Sequence, residues 1–231
     1  MCGRFTQYRT VDEYAKALQL GLLEGDWSNE PIARYNVAPQ SRVMLLHQDD
    51  QGVHVTPTKW GYAPHWAQGK RPPAINARIE TAATSKFWSA IWKRGRAIVM
   101  ADGWYEWKKD PDNPKVKQPY FIRLKGGAPA FFAAIGDIPQ GDEEGAGGFA
   151  IITAASDQGM VDIHDRRPVV LPPDVAGEWM EPGLLPERAE DLARHHDTPV
   201  EAFEWYPVGK AVGNVKNQGA GLLEPIYNPD M

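Results

Sequence analysis

Cysteine occurs once in this chain, at position 2. Once Met1 is removed, Cys2 carries an α-amine and a thiol on adjacent carbons, a 1,2-aminothiol. An α-amine has a reference pKa of about 7.7 to 8.0, so roughly a tenth of it is neutral at pH 7, against well under a thousandth of a lysine amine near 10.4. Such a pair condenses with an aldehyde in two steps. The amine forms a Schiff base, and the thiol then closes a five-membered thiazolidine ring that is far harder to reverse than an imine. The lone cysteine also rules out an internal disulfide and a Cys-rich zinc site.

Three further segments carry side chains that packing alone does not require. Ile75-Asn-Ala-Arg-Ile-Glu-Thr81, taken as extended chain, puts Asn76, Arg78 and Glu80 on one face. Ala101-Asp-Gly-Trp-Tyr-Glu-Trp107 sets Glu106 among three aromatic rings, surroundings that raise a carboxyl pKa and suit a proton shuttle near neutrality. Asp162-Ile-His-Asp-Arg-Arg-Pro168 supplies His164 as a general acid, with Arg166 and Arg167 suited to phosphates. Six histidines invite a metal reading around Asp162, His164 and Asp165. No set of three or four ligands at metal-binding spacing appears, so no metal or other cofactor is expected.

These groups need a scaffold, and its elements are partly legible. Thr10-Val-Asp-Glu13 has capping-box spacing, and Val11, Tyr14, Ala15 and Leu18 share a helical face, which predicts a helix over 11–20. A second helix is expected through Phe87, Trp88, Ile91 and Trp92 to Gly95, and two late ones over 174–180 and 186–195. Strands are expected at 43–46, 53–55, 97–100, 104–107, 120–124, 130–135, 149–154 and 168–171, with the Gly-rich acidic stretch 137–148 a surface loop. With 22 Gly and 20 Pro among 231 residues, many short elements are favoured over long helices. The expected class is therefore α+β: one β-rich domain over 1–231, a barrel-like sheet with a few peripheral helices.

Charge is distributed unevenly. Residues 51–136 hold 14 Lys/Arg against 5 Asp/Glu, although the whole chain has a formal net charge of −5. A basic middle segment is the footprint of a phosphate-binding face. No apolar run approaches the roughly 20 residues of a membrane span, and no signal peptide is visible, so a cytoplasmic protein without a membrane partner is expected.

Six blocks, taken in order, resemble one family. They are Cys-Gly-Arg-Phe5, Arg34-Tyr-Asn-Val-Ala-Pro39, Trp60-Gly-Tyr-Ala-Pro64, Asn76-Ala-Arg-Ile-Glu-Thr81, Asp102-Gly-Trp-Tyr-Glu-Trp107 and His164-Asp-Arg-Arg-Pro168, and the likeness continues through Val212-Gly-Asn-Val-Lys-Asn-Gln-Gly219. The pattern resembles the SRAP family, the SOS-response-associated peptidases or abasic-site processing proteins. The resemblance implies binding of single-stranded DNA at an abasic site and a covalent thiazolidine link from Cys2 to the ring-opened deoxyribose, which shields the lesion. Removal of Met1, described in the family as self-processing, would come first. Asn76 would position the Cys2 terminus and the sugar, Glu106 would handle the amine proton and help open or reverse the adduct, and His164 would protonate the sugar ring oxygen. Arg4, Arg78, Lys86 and Arg166 would hold the DNA backbone. Trp107, and secondarily Trp66, would stack on exposed bases, a contact worth about 1 to 3 kcal/mol per base. The protein is expected to act as a monomer without an obligate protein partner.

Two other functions share these residues. A thiol peptidase acting on other proteins would use Cys2 with His164, but would not need the cysteine at the terminus. A non-catalytic nucleic-acid reader would tolerate changes at Glu106 and His164.

Overall fold

Short apolar runs broken by Gly and Pro fold here mainly into strands. The computed structural model describes residues 2–21, 23–24, 27–138 and 147–226. In chain order the strands are β1 (Phe5–Gln7), β2 (Leu23–Glu24), β3 (Arg34–Val37), β4 (Arg42–Asp49), β5 (Gly52–Lys59), β6 (Asn76–Arg78), β7 (Arg96–Ala101) and β8 (Gly103–Lys109). There follow β9 (Lys117–Leu124), β10 (Ala130–Asp137), β11 (Gly148–Ala155), β12 (Arg166–Pro168), β13 (Val170–Leu171) and β14 (Phe203–Pro207). The helices are α1 (Val11–Ala17), α2 (Ile79–Ala82), α3 (Ser89–Arg94), α4 (Pro173–Met180) and α5 (Pro186–His195).

Two sheets result. One runs β14-β9-β8-β1-β3, and the other runs β12-β11-β10-β7-β4-β5-β2, with β13 paired to β10 and β6 paired to β11. The α+β class is as expected, but the barrel-like sheet is not. Among the described residues each sheet keeps two edges, and Trp60 and Phe149 form only an isolated bridge. A row of strands closes only when its end strands pair along their length; here the strands divide between two sheets instead.

The two-residue period of a strand decides what lies between the layers. Ala97, Val99 and Ala101 of β7, with Ala130, Phe132 and Ala134 of β10, pack into a core shared with Phe5, Trp104, Ile122 and Phe203 of the other sheet. The alternate residues Ile98, Met100, Phe131, Ala133 and Ile135 pack with Tyr14, Ile91, Trp179 and Leu192 from the helices. The centre of the larger sheet, at β7 and β10, is thus buried on both faces, and a fully buried Phe or Leu contributes about 1.5 to 3 kcal/mol.

The crossing from β7 to β8 positions the N-terminus. Gly103 has φ 156°, and a Cβ there would meet the Ile122 carbonyl oxygen at 2.5 Å, so only glycine fits. Beside it the buried Asp102 carboxylate accepts from Tyr8 N–H at 2.8 Å, Arg9 Nε at 2.6 Å and the Tyr14 hydroxyl at 2.5 Å. Three donors thereby pin β1 and α1 against the start of β8.

Several expectations need adjustment. The capping box of α1 forms as read, with Glu13 N–H donating to Thr10 Oγ1 at 3.1 Å, but the helix ends at Ala17, short of residue 20, and Gln19 takes φ 56°. Asn76, Arg78 and Glu80 do not share an extended face, because β6 ends at Arg78 and Glu80 falls in the first turn of α2. The strand expected over 168–171 divides at Val169, whose neighbours pair with β11 and β10 respectively. Most of the stretch 137–148 lies outside the described residues. No described helix is long and apolar enough to cross a membrane.

Candidate active site

The N-terminal segment reaches the site because β1 is held on both sides. Phe5 pairs with Val37 of β3 and with Trp104 of β8, and Tyr105 N–H donates to the Arg4 carbonyl at 2.9 Å. This antiparallel run carries Cys2 alongside the stretch of β8 that holds Glu106. From the other sheet, β6 lies parallel to β11 with Asn76 opposite Ile151. Its Nδ2 donates to the Cys2 carbonyl at 3.0 Å. Asn76 Oδ1 is buried and has no hydrogen-bond partner among the described residues, leaving an acceptor beside the cysteine.

His164 follows a 3-10 turn over Gln158–Asp162 and precedes β12. Its Nε2 stands 3.9 Å from Glu106 Oε2. Its Nδ1 receives the Arg166 N–H at 3.0 Å and also lies 2.9 Å from Asp165 Oδ1. These two contacts compete for one atom, since a lone pair is needed for the first and a proton for the second. Burial lowers the His164 pKa, which favours the neutral ring. With Nδ1 accepting, the proton sits on Nε2, aimed toward Glu106.

Glu106 is 3% exposed. Burial, with the Asp165 charge adding to it, raises its pKa to about 8, so the carboxyl is largely protonated at neutral pH yet close enough to titrate. Cys2 is fully buried, and burial first, then the charge of Glu106, pushes its thiol well above the ordinary value. A raised thiol and a lowered imidazole are the reverse of a thiolate–imidazolium pair. The sulfur here keeps its proton until a neighbouring base removes it.

The four residues singled out for chemistry therefore meet: Asn76 on the Cys2 backbone, Glu106 felt by the Cys2 thiol, and His164 next to Glu106. The five singled out for DNA are arranged differently. Arg78 and Lys86 are exposed, and Trp107 is half-buried. Arg4 Nη1 donates to Asn36 Oδ1 and the Val212 carbonyl, both at 2.7 Å, and the guanidinium lies 5.8 Å from the Trp107 ring centre. Arg166 is held by the Glu80 carboxylate at 2.5 and 2.9 Å and by the Thr153 carbonyl at 2.5 Å. Both guanidiniums are thus engaged inside the protein.

A brace was missed by residue-type reasoning. Asn36, 1% exposed, donates from Nδ2 to the carbonyls of Val212, Asn214 and Asn217 at 3.0 to 3.2 Å. Gln218 Oε1 in turn accepts from Tyr35 and Asn36 N–H at 3.0 and 3.1 Å. The segment 212–218 so backs Arg4 and the start of β1. Its only signal was the Arg34–Pro39 and Val212–Gly219 blocks, which carry no reactive group.

Residues 1–215 match the family model described as SOS response associated peptidase (SRAP). The chain is 52% identical over 230 residues to Abasic site processing protein YedK of Escherichia coli, with 98% of this chain and 100% of that protein covered. It is 31% identical over 232 residues to Abasic site processing protein YoqW of Bacillus subtilis, covering 97% and 99% respectively. Among solved structures, a phage-related protein of Bordetella bronchiseptica is 40% identical, with a TM-score of 0.76 over 90% of this chain and 94% of that one.

Proposed function

The chain belongs to the SOS response associated peptidase (SRAP) family, and from that membership we infer that it processes abasic sites in DNA, bonding to them covalently through Cys2. The observation that carries this reading is the hydrogen bond from Asn76 Nδ2 to the Cys2 carbonyl at 3.0 Å, which holds Cys2 where the Glu106 carboxyl acts on its thiol.

Hydrolysis of the Met1–Cys2 bond consumes one water and frees the Cys2 amine. An abasic deoxyribose interconverts between a closed ring and an open aldehyde. Opening moves a proton from the C1′ hydroxyl to the ring oxygen; His164, in its protonated form, is placed to give its Nε2 proton to the ring oxygen and to take one back from that hydroxyl, speeding formation of the aldehyde. The amine then adds to C1′, and the resulting carbinolamine loses water to give an iminium. Glu106, protonated below about pH 8, supplies the proton that leaves with that water. Its carboxylate then takes the thiol proton as Sγ bonds to C1′. The ring that closes contains sulfur, C1′, nitrogen and the Cys2 Cα and Cβ, and the electrons of the C=N bond return to nitrogen. Every atom comes from the protein, water and the sugar.

Single-stranded DNA is the natural substrate. A site without its base needs no base flipping, and recognition rests on phosphate and stacking contacts. Arg78, Lys86 and Trp107 would supply these, and Arg166 would join them when a phosphate displaces Glu80. The directions of the Cys2 and His164 shifts favour this chemistry over a thiol peptidase, which needs a ready thiolate. The protein would act in the cytoplasm, as a monomer.

Incubation with an abasic single-stranded oligonucleotide, followed by heat and denaturing electrophoresis, tests the proposal. A heat-stable shifted band is expected with abasic DNA and none with intact DNA. Non-covalent affinity should weaken with salt, by a log–log slope of about −0.7 per phosphate contacted. Absence of any stable band from the Met1-free protein would overturn it.

A further inference from the structure

A cleft in the segment leading to β6 is used by none of these roles. β5 ends at Lys59, and the chain then loops out and returns to β6; Tyr62 and Ala74 close the loop by exchanging backbone hydrogen bonds of 2.9 and 2.8 Å. At its base is a cleft of about 560 Å³ bordered by Lys59, Gly61, Gly69, Lys70, Arg71 and Pro73. Its charged lining residues are Lys59, Lys70 and Arg71, all exposed, with no Asp or Glu among the described residues that line it. Trp60, next to Lys59, donates from Nε1 to the Ile75 carbonyl at 2.9 Å, so the cleft is tied to the residue preceding Asn76.

One of the three cations is already oriented. The Arg71 guanidinium lies 3.8 Å from the ring centre of Phe87, and that ring also meets the edge of Trp66, centroids 6.0 Å apart. Trp66 is 59% exposed. Convergent cations with an open aromatic ring at their margin are the chemistry that follows a nucleic-acid strand, phosphate on the cations and base on the ring. A single phosphate would leave such a cleft mostly empty, whereas successive backbone phosphates would meet all three charges.

We propose that the Lys59–Lys70–Arg71 cleft is a second DNA subsite that takes backbone phosphates flanking the lesion, extending the footprint beyond the reacting sugar. The proposal rests on the abasic-site reading for the identity of the nucleic acid. It makes length of flanking DNA on one side a determinant of affinity, separate from the covalent step.

Binding is measured with probes carrying a non-reactive abasic analogue. A short probe has two nucleotides on either side, and longer ones add eight nucleotides on the 5′ or 3′ side, left single-stranded or annealed to a complement. The wild-type chain is compared with the combined Lys59→Gln, Lys70→Gln and Arg71→Gln variant; the three side chains are exposed, and equal thermal melting checks the fold. Extension on one side should tighten wild-type binding about tenfold or more. The variant should lose that gain, with the salt slope reduced by about 0.7 per phosphate contact removed. A gain with the single-stranded extension assigns the phosphates to the continuing strand, and a gain only when annealed assigns them to the flanking duplex; either supports the subsite. A variant that keeps the full gain overturns it. Crosslinking of a reactive short probe is followed in parallel. If wild type fails there, the abasic-site reading falls, and undamaged strands of the same lengths decide the cleft by the same criterion.

Discussion

Replacing Cys2 by Ser should abolish the heat-stable link to abasic DNA while leaving non-covalent binding within about twofold of wild type. The reason is atomic. The serine variant, prepared free of Met1, retains the α-amine, so it still forms the Schiff base, and Asn76 still holds the residue 2 carbonyl, because that bond is to the backbone. Only the sulfur that closes the ring is lost. Borohydride, which reduces imines, should therefore trap the serine variant on DNA, whereas untreated samples should lose the adduct on heating. Equal stable yields from the two proteins would show that sulfur takes no part. A variant that borohydride also fails to trap would show that the terminal amine is not the nucleophile.

Glu106→Gln should divide stability from activity. The Glu106 carboxyl titrates at about 8 in the folded chain against an ordinary value of 4.5, because burial penalises its charge. Below pH 4.5 both folded and unfolded states hold the proton. Between 4.5 and 8 the unfolded chain releases it and the folded chain does not, so stability falls as pH rises through this window. Above 8 the charge sits buried and the full penalty, on the order of 5 kcal/mol, is present. Gln has nothing to ionise, so the variant should melt progressively higher than wild type as pH goes from 5 to 9. Crosslinking should slow by about 10² to 10⁴, the range for loss of a general acid–base group. Parallel melting curves across pH would contradict the buried-acid assignment, and an unchanged rate would remove Glu106 from the chemistry.

The two effects share a cause. Burial keeps the Glu106 proton available near neutrality, and the same burial holds the Cys2 thiol neutral.

Legibility from sequence followed the physics of each element. α5 begins at Pro186 and ends at His195, as expected, because proline at its first turn and basic residues at its last are local signals. The strands β7 and β10 are legible as apolar runs, since both faces are buried. β1 is not legible: Thr6 and Gln7 are polar yet fully buried, and the Gln7 amide donates to the distant carbonyls of Met44 and Met100 at 2.9 and 2.8 Å and accepts from the Met44 N–H at 3.3 Å. Glu80 was misplaced because an alternating pattern of three residues does not show where a strand gives way to a helix.

For the site, residue type revealed the groups and the fold revealed their partners. Cys2, Asn76, Glu106 and His164 are scattered over 163 positions, from 2 to 164, and nothing in their spacing sets the distance of 3.0 Å between Asn76 and Cys2. Arg4 and Arg166 looked free for phosphate because charge is visible in a sequence, whereas Asn36 and Glu80, which engage them, are remote in the chain.

A thiazolidine at the Cys2 terminus is read by intact mass after heating. Protein incubated with an abasic single-stranded oligonucleotide should gain the mass of the DNA less one water, on a chain lacking Met1, and peptide mapping should put the addition on Cys2. An imine of the same mass would be lost on heating. A heat-stable addition mapped to a lysine, or a chain that keeps Met1 and still carries the DNA, would contradict it.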